Sequence, residues 1–253
     1  MKKTFYRLEH KAFGRRIRMA LVADLHASDP KKAIDALREE CPDYILLAGD
    51  ILEALDGSFD AYNEKAMEIF SACASIAPTF YCTGNHEDGG VHSGSRKWKS
   101  GEGKERIYTK ENLERINSSG VYFLPDRCVL KDGIAFGGLM SGLICKNGEP
   151  DLNFLREFAA AQAPKVLICH NPEYSEKYVK QLDIDLVVSG HAHGGQWRFF
   201  GRGVFAPGQG LFPKYTAGIY DNKLVVSRGL KKTTIPPRIF NPLEVVVIDV
   251  ENK

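Results

Sequence analysis

Five short blocks of the chain carry aspartate, asparagine and histidine, each directly behind an apolar run. They read Asp24-Leu25-His26, Gly49-Asp50, Gly84-Asn85-His86-Glu87, His170 and Gly190-His191-Ala192-His193. Carboxylate, amide oxygen and imidazole are hard or borderline donors, and this set, brought to one place, makes a site for two metal ions. Asp50 is the natural bridge, because a carboxylate has two oxygens with which to hold two cations. Asp24 and His26, two residues apart, point the same way from an extended segment. With Asp50 and one more histidine they complete the protein ligands of one ion. Asn85 and His170 suit the second ion alongside Asp50, and His191 and His193 can fan toward different ions. Mixed nitrogen and oxygen ligation favours Mn, Fe, Zn or Ni over Ca.

Two cations ~3.5–4 Å apart lower the pKa of a shared water toward neutrality and clamp two phosphoryl oxygens, so that the resulting hydroxide attacks phosphorus in line. His86 follows a ligand and is expected outside the ligand set as a catalytic group. There it gives a hydrogen bond or proton to the leaving oxygen, a role worth ~10²–10⁴ in rate. Asp24 or Glu87 is the carboxylate expected to orient that imidazole, which makes Asp24 both a ligand and a catalytic candidate. Glu87 is otherwise expected as a structural hydrogen-bonding partner rather than a base.

These groups must be held by the runs that precede them: Met19 to Ala23, Tyr44 to Ala48, Thr79 to Cys82, Val166 to Cys169 and Leu186 to Ser189. Short, continuous apolar runs suit strands buried on both faces of a parallel or mixed sheet, and ligands bind at the carboxyl ends of such strands. Gly49, Gly84 and Gly190 are expected to permit tight turns there. Between the strands, a helix is capped by Asp29, carries Pro30 in its first turn and ends at Cys41-Pro42. A second helix, roughly Ser58 to Ser75, sets Tyr62, Ala66, Ile69, Phe70 and Cys73 on one stripe. The alternation predicts a parallel αβ core. Further on, a helix is predicted near 109 to 118, strands around 121–124, 127–131 and 134–139, and a helix from about 152 to 162.

Residues 88 to 106 break the pattern with five glycines among Arg96, Lys97, Lys99, Lys104 and Arg106 around Trp98. They read as a solvated loop, with a substrate-gripping lid as the alternative; His92 in this loop is a candidate substrate contact. The last quarter is β-rich: Trp197 to Phe200, Val204 to Ala206, Lys223 to Ser227 and Glu244 to Val250. Trp197, Phe199, Phe200, Phe205 and Phe212 are expected to pack as core rather than as a lipid cradle. Arg228 stays open between a phosphate contact and a carboxylate pairing.

The 253 residues are 43% hydrophobic and 26% charged, which is ordinary for a soluble globular protein. With no repeat and no convincing linker, one domain over 1–253 is expected. A net charge of +2 gives no argument for nucleic acid or an anionic membrane as a general partner. No segment approaches the ~18 apolar residues needed to span a bilayer, and early charges such as Arg7, Glu9 and Lys11 tell against a cleavable signal. The chain is therefore expected to be cytoplasmic. Six cysteines without a CxxC pair read as reduced, buried thiols.

Taken in order, the blocks DxH, GD, GNHE, H and GHxH resemble the signature of the calcineurin-like metallophosphoesterases, over roughly residues 17 to 250. Gly190 to Gln196, Ala206 to Tyr215 and Val226 to Leu230 are similar to its bacterial YkuE-like branch. The resemblance implies an α/β fold, a two-sheet mixed sandwich flanked by helices, with a dinuclear centre between strand ends. It implies Asp24, His26, Asp50 and His193 around one metal and Asp50, Asn85, His170 and His191 around the other, with His86 on the catalytic histidine. The expected activity is metal-dependent hydrolysis of a small phosphate ester, a phosphodiester first. The alternatives are pyrophosphate cleavage in a nucleotide-linked lipid of the UDP-diacylglucosamine type, which needs a greasy acyl groove, and a non-catalytic scaffold, which is expected to have lost ligands. A nuclease needs a basic phosphate track, whereas the bases here are balanced by acids.

Overall fold

The computed structural model describes residues 1–53, 59–88, 110–141, 149–233 and 236–252. Twelve strands form two six-stranded sheets. The first sheet holds β1 (Lys2–Glu9), β2 (Ile17–Val22), β3 (Tyr44–Ala48), β4 (Thr79–Cys82), β5 (Tyr122–Phe123) and β16 (Glu244–Glu251), in the order β1-β16-β2-β3-β4-β5. The second holds β6 (Arg127–Lys131), β7 (Ile134–Leu139), β8 (Lys165–Cys169), β9 (Leu186–Ser189), β14 (Gly218–Tyr220) and β15 (Leu224–Val226), in the order β14-β15-β9-β8-β7-β6. Two short hairpins follow β9: β10 (Arg198–Phe199) with β11 (Arg202–Gly203), and β12 (Phe205–Ala206) with β13 (Gly210–Leu211). The strands β2, β3 and β4 run parallel, as do β7, β8, β9 and β15, while β16 returns antiparallel to β2. Both sheets are mixed, and the sandwich expected from the motif resemblance is what the chain adopts.

The apolar runs are continuous because both faces of each sheet are covered. In β2, Met19 and Leu21 point between the sheets while Ala20 and Val22 point outward, as the two-residue period requires. The inner layer joins Leu46 and Phe80 of one sheet to Phe136, Val166 and Val188 of the other. The rings of Phe80 and Phe136 stack across the gap with centroids 3.8 Å apart, and each such buried side chain contributes roughly 1.5–3 kcal/mol by leaving water. Outside the first sheet lie α1 (Lys31–Glu40), α2 (Phe59–Ile76) and α3 (Lys110–Ser118), which bury Ile34, Leu37, Ile69, Phe70 and Ile116. Outside the second lies α4 (Leu152–Ala159), which buries Leu155 and Phe158. Asp151 caps α4 by accepting from Asn153 and Phe154 backbone amides.

Three sequence expectations need correction. The helix expected to reach 162 stops at Ala159, where the chain turns toward Pro164. β1 was not anticipated, because its alternating charges leave only Leu8 buried and it pairs as an edge strand. Of the thiols expected to be buried, Cys73, Cys82 and Cys169 are, but Cys41 and Cys128 are exposed. The loop at 88–106, with His92, Arg96, Lys97, Trp98 and Lys99, lies outside the described residues apart from Asp88. Among the described residues no helix is long and apolar enough to cross a membrane.

Candidate metal centre

The five blocks meet where the carboxyl ends of β2, β3 and β4 face those of β8 and β9. Hydrogen bonds between the blocks fix them. Asp24 N–H donates to Gly49 O at 3.0 Å, His26 N–H to Asp50 O at 2.8 Å, and Gly190 N–H to His170 O at 3.1 Å. Asp24 Oδ1 accepts from the His191 backbone amide at 2.9 Å, which ties the first sheet to the second. Asp50 Oδ1 likewise accepts from His86 N–H at 2.9 Å. His170 Nδ1 lies 2.7 Å from the Ala48 carbonyl and must donate to it, so Nε2 is the nitrogen presented to the centre.

The backbone is bent sharply to make this possible. Asp24, His26, Asp50, His191 and His193 have φ of 53°, 50°, 51°, 64° and 45°. Left-handed φ is uncommon for residues with a side chain, and such strain collects at functional sites. Of the three glycines expected at tight turns, only Gly49 has positive φ, at 76°. Gly84 and Gly190 are glycine for a different reason: a Cβ at Gly84 would come 2.7 Å from Asp50 N, and one at Gly190 would come 2.8 Å from Asp24 Oδ2. Gly229, which the sequence did not mark, backs the same carboxylate, with a Cβ there 2.8 Å from Asp24 Cγ.

Three trios of side chains that could hold a metal result among the described residues, two of them built from the motif blocks alone. Asp24, His26 and His193 bring donor atoms within 4.8 Å of one another, and so do Asp50, His170 and His191. Asp50 stands between them, its Oδ2 3.2 Å from His170 Nε2 and 3.5 Å from His26 Nε2. Asn85 Oδ1 lies 3.2 Å from His170 Nε2. All seven candidate ligands converge. Asp24 Oδ2, His26 Nε2 and Asp50 Oδ2 are buried and lack any hydrogen-bond partner. Buried polar atoms without partners are costly. Asp50 Oδ2 and His26 Nε2 face each other between the trios, while Asp24 Oδ2 backs onto Gly190 and Gly229 and its Oδ1 faces His170 and His193 at 4.0 Å. Two carboxylates, an amide oxygen and imidazole nitrogens with orphaned acceptors are a donor set that fits divalent cations.

The charges are strongly coupled. Burial pushes the Asp24 carboxyl up. Burial works on Asp50 in the same sense, but His170, His86 and His26 outweigh it and hold Asp50 well below the usual carboxylate range. Burial pushes His170 down, yet Asp50 and Asp24 more than offset it and raise the imidazole to about 10. Burial, reinforced by His170, pushes His191 down to about 3, and burial drives His193 down as well.

His86 is oriented by a residue that the motif blocks did not include. Its Nδ1 lies 2.5 Å from Glu53 Oε2, and the other oxygen of Glu53 lies 2.5 Å from His26 Nδ1. The sequence offers Asp24 or Glu87 for this work. Glu87 instead accepts from the backbone amides of Asp50, Ile51, Leu52 and Gly84 and from the Tyr81 hydroxyl, which is the structural role expected of it. Glu53 is three residues beyond Asp50 on the same strand exit, and that shared exit is the signal that could have found it. Burial would raise the Glu53 carboxyl, but the two imidazoles hold it at about 2. The opposite charges of Asp50 and Glu53 overcome burial at His86 and raise it.

A family model described as calcineurin-like phosphoesterase matches residues 17–195. The chain belongs to that family. An uncharacterised metallophosphoesterase of Campylobacter jejuni is 27% identical over 237 residues, 91% of this chain and 56% of the relative. The phosphodiesterase YaeI of Escherichia coli is 29% identical over 198 residues, 72% of this chain and 62% of the relative. The uncharacterised metallophosphoesterase YkuE of Bacillus subtilis is 25% identical over 243 residues, 91% of this chain and 77% of the relative. The chain thus spans little more than half the length of the first two. The family match contains every candidate ligand and ends at Gly195, just before the two hairpins.

The chain also carries three cations near the centre. Arg228 leans on Glu244, with Nη1 3.6 Å from Oε2. Lys231 Nζ lies 3.7 Å from Glu53. Arg238 Nη2 is 3.5 Å from His193 Nδ1, and its buried Nε and Nη1 have no hydrogen-bond partner. The sequence marked Arg228 and missed the other two, because a cation near a site looks like any surface cation until the chain is folded.

Proposed function

We propose that the chain is a dinuclear metal-dependent phosphodiesterase. The observation that carries this reading is the trio-and-bridge arrangement, with Asp50 Oδ2 and His26 Nε2 buried and unpartnered within it. In this reading Asp24, His26, Asp50 and His193 hold one ion, and Asp50, Asn85, His170 and His191 hold the other. The bound ions supply Lewis acidity and bring a water's pKa toward neutrality. Two carboxylates able to draw a proton onto His170 mark a position of negative potential that suits a cation. His86 is the proposed general acid: Glu53 holds its Nδ1, Nε2 is left for the leaving oxygen, and its charged form is favoured. Asp24 is retained as a ligand, its Oδ1 being engaged by His191 N–H. Arg238 is the proposed contact for a non-bridging phosphate oxygen.

A Mn²⁺-supplemented screen tests the function, comparing bis-p-nitrophenyl phosphate, p-nitrophenyl phosphate and a nucleotide-sugar pyrophosphate, with an EDTA control. Turnover of the diester that EDTA abolishes is expected. Turnover of the pyrophosphate alone would move the reading to a pyrophosphohydrolase, and no metal-dependent turnover of any of the three would overturn it.

A further inference from the structure

Aromatic side chains crowd the surface immediately beyond the family match. Seven of the ten exposed large hydrophobics among the described residues fall between Phe199 and Phe240. Phe200 is 105% exposed, Phe212 80% and Phe240 78%. The core packing expected for Phe199, Phe200, Phe205 and Phe212 is therefore wrong. Exposed apolar groups that meet one another, as Phe199 and Phe240 do, mark an interaction site rather than chance exposure.

The backbone under them is as telling as the exposure. Phe200, Phe212 and Phe240 have φ of 51°, 52° and 51°. These are turn positions that glycine or asparagine fills without strain, and a bulky residue there is an outlier. Each carries instead a benzyl group that packs poorly or not at all against its own protein. The turns are also held firmly. The buried guanidinium of Arg198 donates to Gly194 O at 2.7 Å, to Thr216 Oγ1 at 2.9 Å, and to Gly201 O beside Phe200. Trp197 Nε1 donates to Pro237 O at 2.9 Å and Arg198 N–H to Ile239 O at 3.0 Å, which fastens the first hairpin to the 236–243 segment. Phe199 and Phe240 meet edge to face across that junction, with centroids 6.0 Å apart.

Charge selects the occupant. Residues 193–215 and 228–243 hold seven of the thirty-four Lys and Arg and none of the thirty-two Asp and Glu. Arg202, paired in register with Phe199, and Lys232 are exposed, while Lys214 pairs with Glu176 from outside these segments. Arg198 and Arg238 are largely buried, and Arg228, Lys231 and Lys214 lie beside Glu244, Glu53 and Glu176. Arg202 and Lys232 therefore carry the exposed charge, and a second copy docking through Arg202 would oppose cation to cation. Lipid headgroups of negative charge complement it, and rigid aromatic tips beside cations are the composition that enters a membrane interface.

We propose that the two hairpins and the 236–243 segment dock this chain on an anionic phospholipid surface. The same segments touch the metal centre: Asn241 Nδ2 donates to His193 O at 2.7 Å, and a Cβ at Gly208 would lie 3.5 Å from His191 Nε2. Docking therefore brings the centre to the lipid surface.

The test is flotation of the full chain with phosphatidylcholine vesicles containing about a third phosphatidylglycerol, and with phosphatidylcholine alone. Phe200→Gly/Phe212→Gly/Phe240→Gly is the variant of choice, since glycine accepts positive φ and the fold is kept; a circular-dichroism melt checks this. The expected result is binding to the anionic vesicles that weakens with salt, falls about tenfold or more in the triple variant, and falls again in Arg202→Glu/Lys232→Glu. Turnover of a soluble diester by the triple variant should stay at the wild-type level, which separates this inference from the proposed function. Equal vesicle binding by the triple variant, or equal binding to neutral vesicles, overturns the proposal. So does self-association that the triple variant abolishes in a chain that ignores vesicles, because the occupant is then a second copy.

Discussion

Glu53 stands between two imidazoles, its Oε1 2.5 Å from His26 Nδ1 and its Oε2 2.5 Å from His86 Nδ1. One carboxylate thereby sets the ring of a proposed ligand and the ring of the proposed general acid. Replacing it with Glu53→Gln removes the charge and leaves an amide with a single oxygen to accept. We expect activity on a diester to fall about 10- to 100-fold, with part of the loss appearing as weaker metal affinity. Titration with Mn²⁺ under turnover measures both, and unchanged kinetics would show that the two contacts are incidental.

His86 is 14% exposed at its side chain, more open than His26 at 2% or His170 at 0%. A group that hands a proton to substrate needs such access, although exposure alone does not single it out, since the proposed ligand His193 is 13% exposed. His86→Ala should keep its metal and lose ~10²–10⁴ in kcat. Elemental analysis beside kinetics checks this, and wild-type turnover in the variant removes His86 from the mechanism.

Asp50 bears the heaviest burden, because its Oδ2 is shared between both trios while its Oδ1 accepts from His86 N–H. Asp50→Asn keeps the size and halves the ligating capacity. Metal content should fall at one or both positions by elemental analysis, with the far-ultraviolet circular dichroism retained. Full occupancy of both positions would rule out the bridge.

Arg238 has two guanidinium nitrogens buried without a partner beside His193. Burial pushes it down to about 10, so it stays charged at neutral pH. If it meets a phosphate oxygen, Arg238→Ala should raise KM by about tenfold or more, the scale of one charge-assisted hydrogen bond. The same change at Arg228, which already leans on Glu244, should matter less.

Away from the centre, Arg18 Nε and Nη2 grip both oxygens of Asp249 at 2.8 and 2.9 Å, directly across the β2–β16 pairing. The hydrogen bonds from Arg18 lower the Asp249 carboxyl below 3.8. A lowered carboxylate contributes stability that is complete above its unfolded value and is lost as pH falls through its folded value. Asp249→Asn should therefore cost about 1 kcal/mol at neutral pH, given that Arg18 is partly exposed. The difference from wild type should be flat down to pH 3.8 and shrink below it. Denaturant melts across that range measure it, and a gap that widens with acid contradicts the sign.

The sheets and the ligands were legible because each apolar run had to be buried on both faces and each block followed one. The strand at 134–139 was legible to the residue for the same reason, and its antiparallel edge partner at 127–131, though largely exposed, matched its expected bounds as well. Lys231 and Arg238 were not, since nothing in their neighbours distinguishes a cation turned inward from one turned to water, and Glu53 carried only the weak signal of sharing Asp50's strand exit. The hairpin phenylalanines misled for a related reason. Composition says that aromatics are buried, and only the folded hairpins show Phe200 and Phe212 turned to solvent. Net charge also hides local composition: a chain nearly neutral as a whole has no acid in residues 193–215 or 228–243.

Asp24 accepting from the His191 amide and His170 donating to the Ala48 carbonyl both cross the seam where one layer lies on the other. Neither layer owns the whole proposed ligand set, so a partly folded chain with one sheet formed lacks the donors assigned to the two ions. In the proposed assignment ion uptake and closure of the sandwich are linked, and a chelator that strips the site would loosen the grip of the layers on each other by up to the free energy of binding.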